Sequence, residues 1–221
     1  MNYIIQTNNL SKQFKMTTAL DNVSLSIPTG SIYGLIGNNG AGKTTLMSIL
    51  SKLQNQTFGS VEKAENLKIG SLIESPVFYP MRSAYWNLKY QKKLLGAKDT
   101  DINKLLSLVG LAKSKKPIMN YSLGMKQRLG LAMALVGNPD FLILDEPLNG
   151  LDPNGIMDMR SLLVELNQNH GKTILISSHI LGELQKVATH YGFLKNGTLM
   201  QEFSNDVLKD DLESFYFENF A

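Results

Sequence analysis

Three stretches of the chain are apolar without interruption, and they organise everything around them. "SIYGLIG" (31–37), "FLILDEP" (141–147) and "TILISSH" (173–179) each read as a strand covered on both faces, the kind found inside a parallel sheet. Ahead of them, "YIIQTNNL" and "ALDNVSLSIP" are short and β-like, and Val23, Leu25 and Ile27 alternate with Ser24 and Ser26 as in a half-buried strand. Pro28-Thr29-Gly30 reads as a turn.

Helical spacing takes over between these runs. Leu46, Ile49, Leu50 and Leu53 predict one apolar stripe directly after a glycine-rich loop. Leu129, Met133 and Val136 share a face in "MKQRLGLAMALV", which Gly137-Asn138-Pro139 should stop. Asp152-Pro153 opens another helix, with Asp as N-cap and Pro in the first turn, and Ile156, Met159, Leu163 and Leu166 form its buried face. "FLKNGTLM" predicts a hairpin on an Asn-Gly turn. Leu208, Leu212 and Phe215 suggest a short amphipathic helix in the tail.

The order is therefore a small β piece, α/β units, a helical insertion and α/β units again. That predicts a single α/β domain over 1–221 with a helical subdomain inserted at 77–136 and an acidic amphipathic tail at 202–221. The length of 221 residues, 43% hydrophobic and 19% charged, suits one ordinary core. There are no cysteines, which excludes disulfides and thiolate metal ligands. The formal net charge of +3 argues against a nucleic-acid partner. It is spread unevenly: residues 86–116 carry eight Lys and two Asp, residues 202–218 six acids and one Lys. The basic stretch reads either as a solvated face or as one lying near an anionic membrane surface. The N-terminus lacks the pattern of a signal peptide, and no stretch reaches the ~20 apolar residues that span a bilayer. Any membrane role then runs through a partner.

The chemistry lies at the ends of the apolar runs. "GNNGAGKT" (37–44) matches the phosphate-binding loop pattern G-x-x-x-x-G-K-[ST]. Its glycines let backbone N–H groups point inward, the following helix offers its positive end to phosphate, Lys43 can reach the β and γ phosphates, and the Thr44 hydroxyl suits Mg²⁺. Asp145 and Glu146 close a strand at the sheet edge where ligands of α/β proteins sit. Asp145 suits the metal and Glu146 the orientation and deprotonation of an attacking water. His179 ends another such strand; it is either a cap or a hydrogen-bonding partner of the γ-phosphate.

With these residues in hand, the chain resembles the ATP-binding subunit of an ABC (ATP-binding cassette) transporter over about residues 3–200. Six motifs stand in that family's order. "GNNGAGKTT" is similar to its Walker A loop, "SLIESP" stands at its Q-loop, and "YSLGMKQRL" at its signature motif. "FLILDEP" is similar to Walker B, "NGLDP" to the D-loop and "SSH" to the H-switch. The resemblance implies a P-loop NTPase core with an antiparallel β piece and a helical subdomain, and ATP and Mg²⁺ as cofactors. The nucleotide would be bound by Asn38, Asn39, Gly40, Ala41, Gly42, Lys43, Thr44 and Thr45, and Phe14 falls where the family has an aromatic stacking on adenine. The resemblance casts Glu146, His179 and Lys43 as catalytic and Thr44, Glu74 and Asp145 as metal-facing. It implies transmembrane permease partners and a second cassette, an identical chain in the ATP-bound state, to whose γ-phosphate Ser122 and Gly124 would reach. Asp152 would lie across the dimer seam, and the chain would sit peripherally on the cytoplasmic face of the membrane.

Two motifs depart from the family pattern, at three positions. The first signature glycine is Leu123 and the signature Gln is Met125; the Q-loop Gln is Glu74. "IGSLIESPVFYP" together with "SLGMKQRLGLAMAL" resembles cassettes of the bacitracin and lantibiotic resistance or immunity type, which clear antimicrobial peptides from the membrane. The alternatives are a cassette of another drug exporter, a soluble non-transport ABC ATPase, or a nucleotide-binding switch with little turnover. Single-cassette length and the absence of a long coiled-coil insertion weigh against the second, and the retained Glu146 and His179 against the third. The segment Pro76–Leu88, with Phe78, Tyr79, Tyr85 and Trp86, reads either as the docking face for a membrane partner or as core of the helical piece.

Overall fold

Strand β1 (Tyr3–Phe14) is the spine of the N-terminal layer in a computed structural model that describes residues 2–111, 115–208 and 211–220. It pairs antiparallel with β2 (Thr17–Val23) and, further along, with β3 (Ser26–Pro28). The alternating stretch expected as one strand is thus two, parted at Ser24-Leu25. The Thr7 side chain fills the break, donating to the Val23 carbonyl and accepting from the Leu25 N–H. Alternation survives it, since Val23, Leu25 and Ile27 are all fully buried.

Strand β4 (Ile32–Ile36) is buried at every position and leads through the glycine-rich loop into helix α1 (Lys43–Leu50). The helix is shorter than its stripe predicts. Lys52 enters the left-handed region at φ 61°, the Leu53 N–H turns back to the Ser48 carbonyl, and Leu53 ends up 64% exposed. A polar strand, β5 (Phe58–Lys63), then joins the second edge register of β1.

Strand β6 (Ile69–Leu72) precedes three helices: α2 (Ala84–Leu94), α3 (Ile102–Leu108) and α4 (Leu123–Ala134). Side chains of Ser83, Asp101 and Ser122 cap them by accepting from N–H groups of their first turns. Gly70 in β6 has to be glycine: a Cβ there would lie 2.0 Å from the Ala134 carbonyl at the end of α4. Arg128 ties α4 to its surroundings, donating to the Val109 carbonyl and pairing with Asp158 at 2.6 Å.

The rest alternates: β7 (Phe141–Leu144), α5 (Pro153–Gln168), β8 (Thr173–Ser177), α6 (Leu181–Gln185), β9 (His190–Lys195), β10 (Thr198–Ser204) and α7 (Leu212–Phe220). Asp152 caps α5 by accepting from the Gly155 N–H, with Pro153 in its first turn. Asn196 and Gly197 take φ 49° and 80°, the paired positive angles of a tight hairpin turn between β9 and β10. Leu208 lies ahead of α7, and both it and Phe215 pack on the core.

The main sheet has the order β10-β9-β4-β8-β7-β6, parallel except for the β9–β10 hairpin. Because β4 lies between β8 and β9, chain ends from distant parts of the sequence meet at one sheet edge, the place where α/β folds bind ligands. One apolar cluster joins α2–α6 to one face of the sheet; the second joins α1 and the antiparallel layer to the other. No helix among the described residues is long and apolar enough to cross a membrane.

Candidate functional site

The loop after β4 and the ends of β7 and β8 converge on one cleft. Gly42, the residue before α1, holds φ 106° and brings its Cα against the β2 backbone; a Cβ would sit 2.6 Å from the Ala19 carbonyl. Having no side chain, it leaves the first N–H groups of α1 uncapped, the condition under which a helix start receives an anion. Lys43 is 6% exposed, with Nζ donating to the Gly37 carbonyl at 2.6 Å and the Asn38 carbonyl at 3.3 Å.

Both oxygens of buried Asp145 are engaged. Thr44 Oγ1 donates to Oδ2 at 2.7 Å, and Ser177 Oγ donates to Oδ1 at 2.6 Å. The Ser177 hydroxyl also accepts from the Glu146 N–H at 2.9 Å, so β8 fixes the backbone of β7 just where it turns. Glu146 takes φ 50°, a left-handed conformation uncommon for this residue type, and its carboxylate is aimed across the cleft. Its Oε2 lies 2.8 Å from His179 Nδ1 and its Oε1 4.0 Å from Lys43 Nζ. A carboxylate only accepts, so the contact selects the tautomer of His179 with hydrogen on Nδ1. The result is a row of groups, His179–Glu146–Lys43, beside the pair Thr44–Asp145.

Three small cavities surround the loop. One of 240 Å³ is lined by Ala19, Asn38, Asn39, Gly40, Gly42, Lys43, Thr44, Thr45, Asp145 and Glu146. A second, of 320 Å³, holds Asn38, Asn39, Glu146, Asn149, His179 and Tyr216. The third, 100 Å³, runs past Ala41 to Phe193 and Tyr216. Residues named from the sequence at the loop, Asn38 to Thr45, therefore meet Asp145, Glu146 and His179. Ser122 and Gly124 line none of these cavities; they stand at the start of α4, with Ser122 exposed. Glu74 is exposed at φ 58° and is also absent from their linings. Phe14 is 44% exposed at the end of β1, with Lys12 Nζ 4.9 Å from its ring centre.

Two residues of the cleft have no motif to announce them: Ala19 comes from a polar hairpin strand, and Tyr216 arrives from the tail. Ser177 and Asn149 lie inside "SSH" and "NGLDP" but carry no role of their own in the sequence reading. Ser177 has a signal, being the first polar residue after an apolar run that points at the same edge as Asp145.

The aromatic segment ahead of α2 divides between the two readings. Phe78 packs into the core, whereas Val77, Tyr79, Met81 and Tyr85 are exposed. Trp86 stacks on Tyr90 at 5.4 Å, meets Tyr79 edge-on at 5.1 Å, and carries Arg82 over its ring. Beside it a 260 Å³ hollow is lined by Pro76, Phe78, Pro80, Met119, Leu123 and Gln127, among others.

A P-loop on a parallel sheet, with two acids and a histidine on neighbouring strands, defines the class: a P-loop nucleotide triphosphatase cassette. The family model of the ABC transporter matches residues 20–149. The chain is 45% identical over 214 residues to the bacitracin transport ATP-binding protein BcrA of Enterococcus faecalis, covering 91% of this chain and 70% of that one. It is 44% identical over 211 residues to the lantibiotic transport ATP-binding protein SrtF of Streptococcus pyogenes, covering 92% of each. Among solved structures, the dimeric cassette MJ0796 in a post-hydrolysis state with ADP and Pi superposes with a TM-score of 0.80 at 25% identity, over 91% of this chain and 98% of that one. The chain belongs to the ABC transporter family, as an ATPase cassette.

Proposed function

We propose that this chain binds and hydrolyses ATP to drive a membrane exporter of bacitracin- or lantibiotic-type antimicrobial peptides. The observation that carries the peptide class is the likeness to BcrA and SrtF along nine-tenths of the chain. In this reading Lys43 and the N–H groups from Asn38 to Thr45 receive the phosphates, and Phe14 receives the adenine. Thr44 and Asp145, two hard oxygen donors already in contact, suit Mg²⁺, with Glu74 approaching the metal when the helical piece moves. Bound there, Mg²⁺ would neutralise phosphate charge. Glu146 takes the proton of the attacking water, and His179, now on Glu146, turns to the γ-phosphate.

The cleft supplies no group from α4, so Ser122 and Gly124 serve the nucleotide of a second copy, and Asp152 lies at the seam between copies. Ser122 starts a helix and so presents a hydroxyl together with a helix N-terminus to that phosphate. Residues 77–136 act as a movable helical subdomain, and Pro76–Leu88 meets the permease, on the cytoplasmic face of the membrane.

Glu146→Gln tests the reading. It keeps the shape and the phosphate site but loses the base, so phosphate release should fall roughly 10²–10⁴-fold while Mg-ATP is retained and the chain sediments as a dimer. Cells depending on the chain for protection should become sensitive to the peptide. Turnover near that of the unsubstituted chain removes Glu146 as the base; sensitivity that does not change removes the peptide as substrate.

A further inference from the structure

The tail helix returns to the phosphate loop. Leu212, at the start of α7, is fully buried and its N–H donates to Gln185 Oε1 at the end of α6. Phe215 lies 5.0 Å from Phe203 of β10, and both Phe215 and Tyr216 lie 5.9 Å from Phe193 of β9. Rings packed on two strands leave α7 little freedom to turn. Held this way, the Tyr216 hydroxyl donates to Asn38 Oδ1 at 2.9 Å.

Asn38 is the right residue to hold. Its carbonyl accepts from the Ala41 N–H at 3.0 Å and from Lys43 Nζ at 3.3 Å, so its peptide is the first turn of the loop. Tyr216 also lines the two cavities that flank this turn. One of them contains Glu146 and His179, and α6, on which α7 rests, starts two residues beyond His179.

We propose that Tyr216 is a positioning residue of the ATP site: by fixing Asn38 it keeps the first turn of the phosphate loop in the shape that receives the nucleotide. A loop ordered in advance loses less freedom when phosphate arrives, so the gain is in affinity. The hydroxyl's hydrogen bond goes to Asn38 and not to Glu146, which pairs with His179, so the chemical step does not depend on it. This rests on the phosphate-loop reading above.

The test is Tyr216→Phe, which retains the ring and its packing on Phe193. One neutral hydrogen bond corresponds to a change of roughly threefold to tenfold. The Kd for Mg-ATP and the KM of hydrolysis should rise by that factor, with kcat unchanged and the melting temperature of the nucleotide-free chain lowered by no more than about 2–4 °C. In an Asn38→Ala background the same substitution should add nothing, as two residues acting through one bond require. The proposal is overturned by an unchanged KM, by an equal rise in the Asn38→Ala background, or by a lower KM, which would make α7 an obstruction. If the unsubstituted chain shows no saturable Mg-ATP binding, the phosphate-loop reading itself fails and takes this proposal with it; saturable binding with an indifferent Tyr216→Phe fails this proposal alone.

Discussion

The phosphate-loop edge and the start of α4 carry chemistry in opposite ways. At the first, side chains satisfy one another before any ligand arrives: Thr44 and Ser177 share Asp145, and His179 holds Glu146. At the second, the Ser122 hydroxyl accepts, among the described residues, only from its own helix, at 3.3 Å to the Met125 N–H, and Leu123 beside it is 49% exposed. One half is organised within the chain; the other is presented outward. Two half-sites of this kind fit a protein whose complete nucleotide site needs two copies.

The contrast can be broken at either half. The largest effect belongs to Lys43→Ala, which removes the buried ammonium from the organised half. Mg-ATP affinity of the isolated chain should fall on the order of a hundredfold, read by equilibrium binding. Ser122→Ala strikes the presented half. Binding by the dilute, monomeric chain should stay within about twofold, while hydrolysis at concentrations that form dimers falls roughly tenfold to a hundredfold. If Ser122→Ala weakens monomer binding as Lys43→Ala does, the two halves serve one site in one chain and the comparison collapses. The smallest effect belongs to Glu74→Gln, which restores the family's usual residue at the position proposed to approach the metal. ATP binding should stay near normal and the Mg²⁺ concentration giving half-maximal hydrolysis should move by about twofold to threefold, since a carboxylate attracts the ion more than an amide does. An unmoved Mg²⁺ profile would make Glu74 an incidental variant.

What could be read from the chain followed from how completely each element is covered. Strands β4, β7 and β8 are buried on both faces and so appear as unbroken apolar runs; the helix capped by Asp152 and the Asn196-Gly197 turn declare themselves through residue types with one local use. Strands β5 and β6 were not foreseen. β5 is largely solvated and polar, and β6 is a strand of four residues at the end of the sheet order, beside β7, so neither needs an apolar pattern. Leu53 misled because periodicity does not register the turn at Lys52. In the cleft, residues held by a motif were legible, whereas Ala19 and Tyr216 are there through tertiary packing alone. No spacing rule links position 216 to position 38.

The place of β4 in the sheet has a consequence for how the protein is made. Its two neighbours are β8 and β9, whose first residues, Thr173 and His190, lie well over a hundred positions downstream of Ile32. On the ribosome the strand that carries the phosphate loop therefore emerges early and waits with both edges unpaired until most of the chain has been synthesised. Such long-range parallel pairing folds slowly and leaves apolar strand exposed in the meantime. The nucleotide site is thus among the last features to form, and a nascent chain halted before β8 has a phosphate loop in sequence but no sheet on which to hold it.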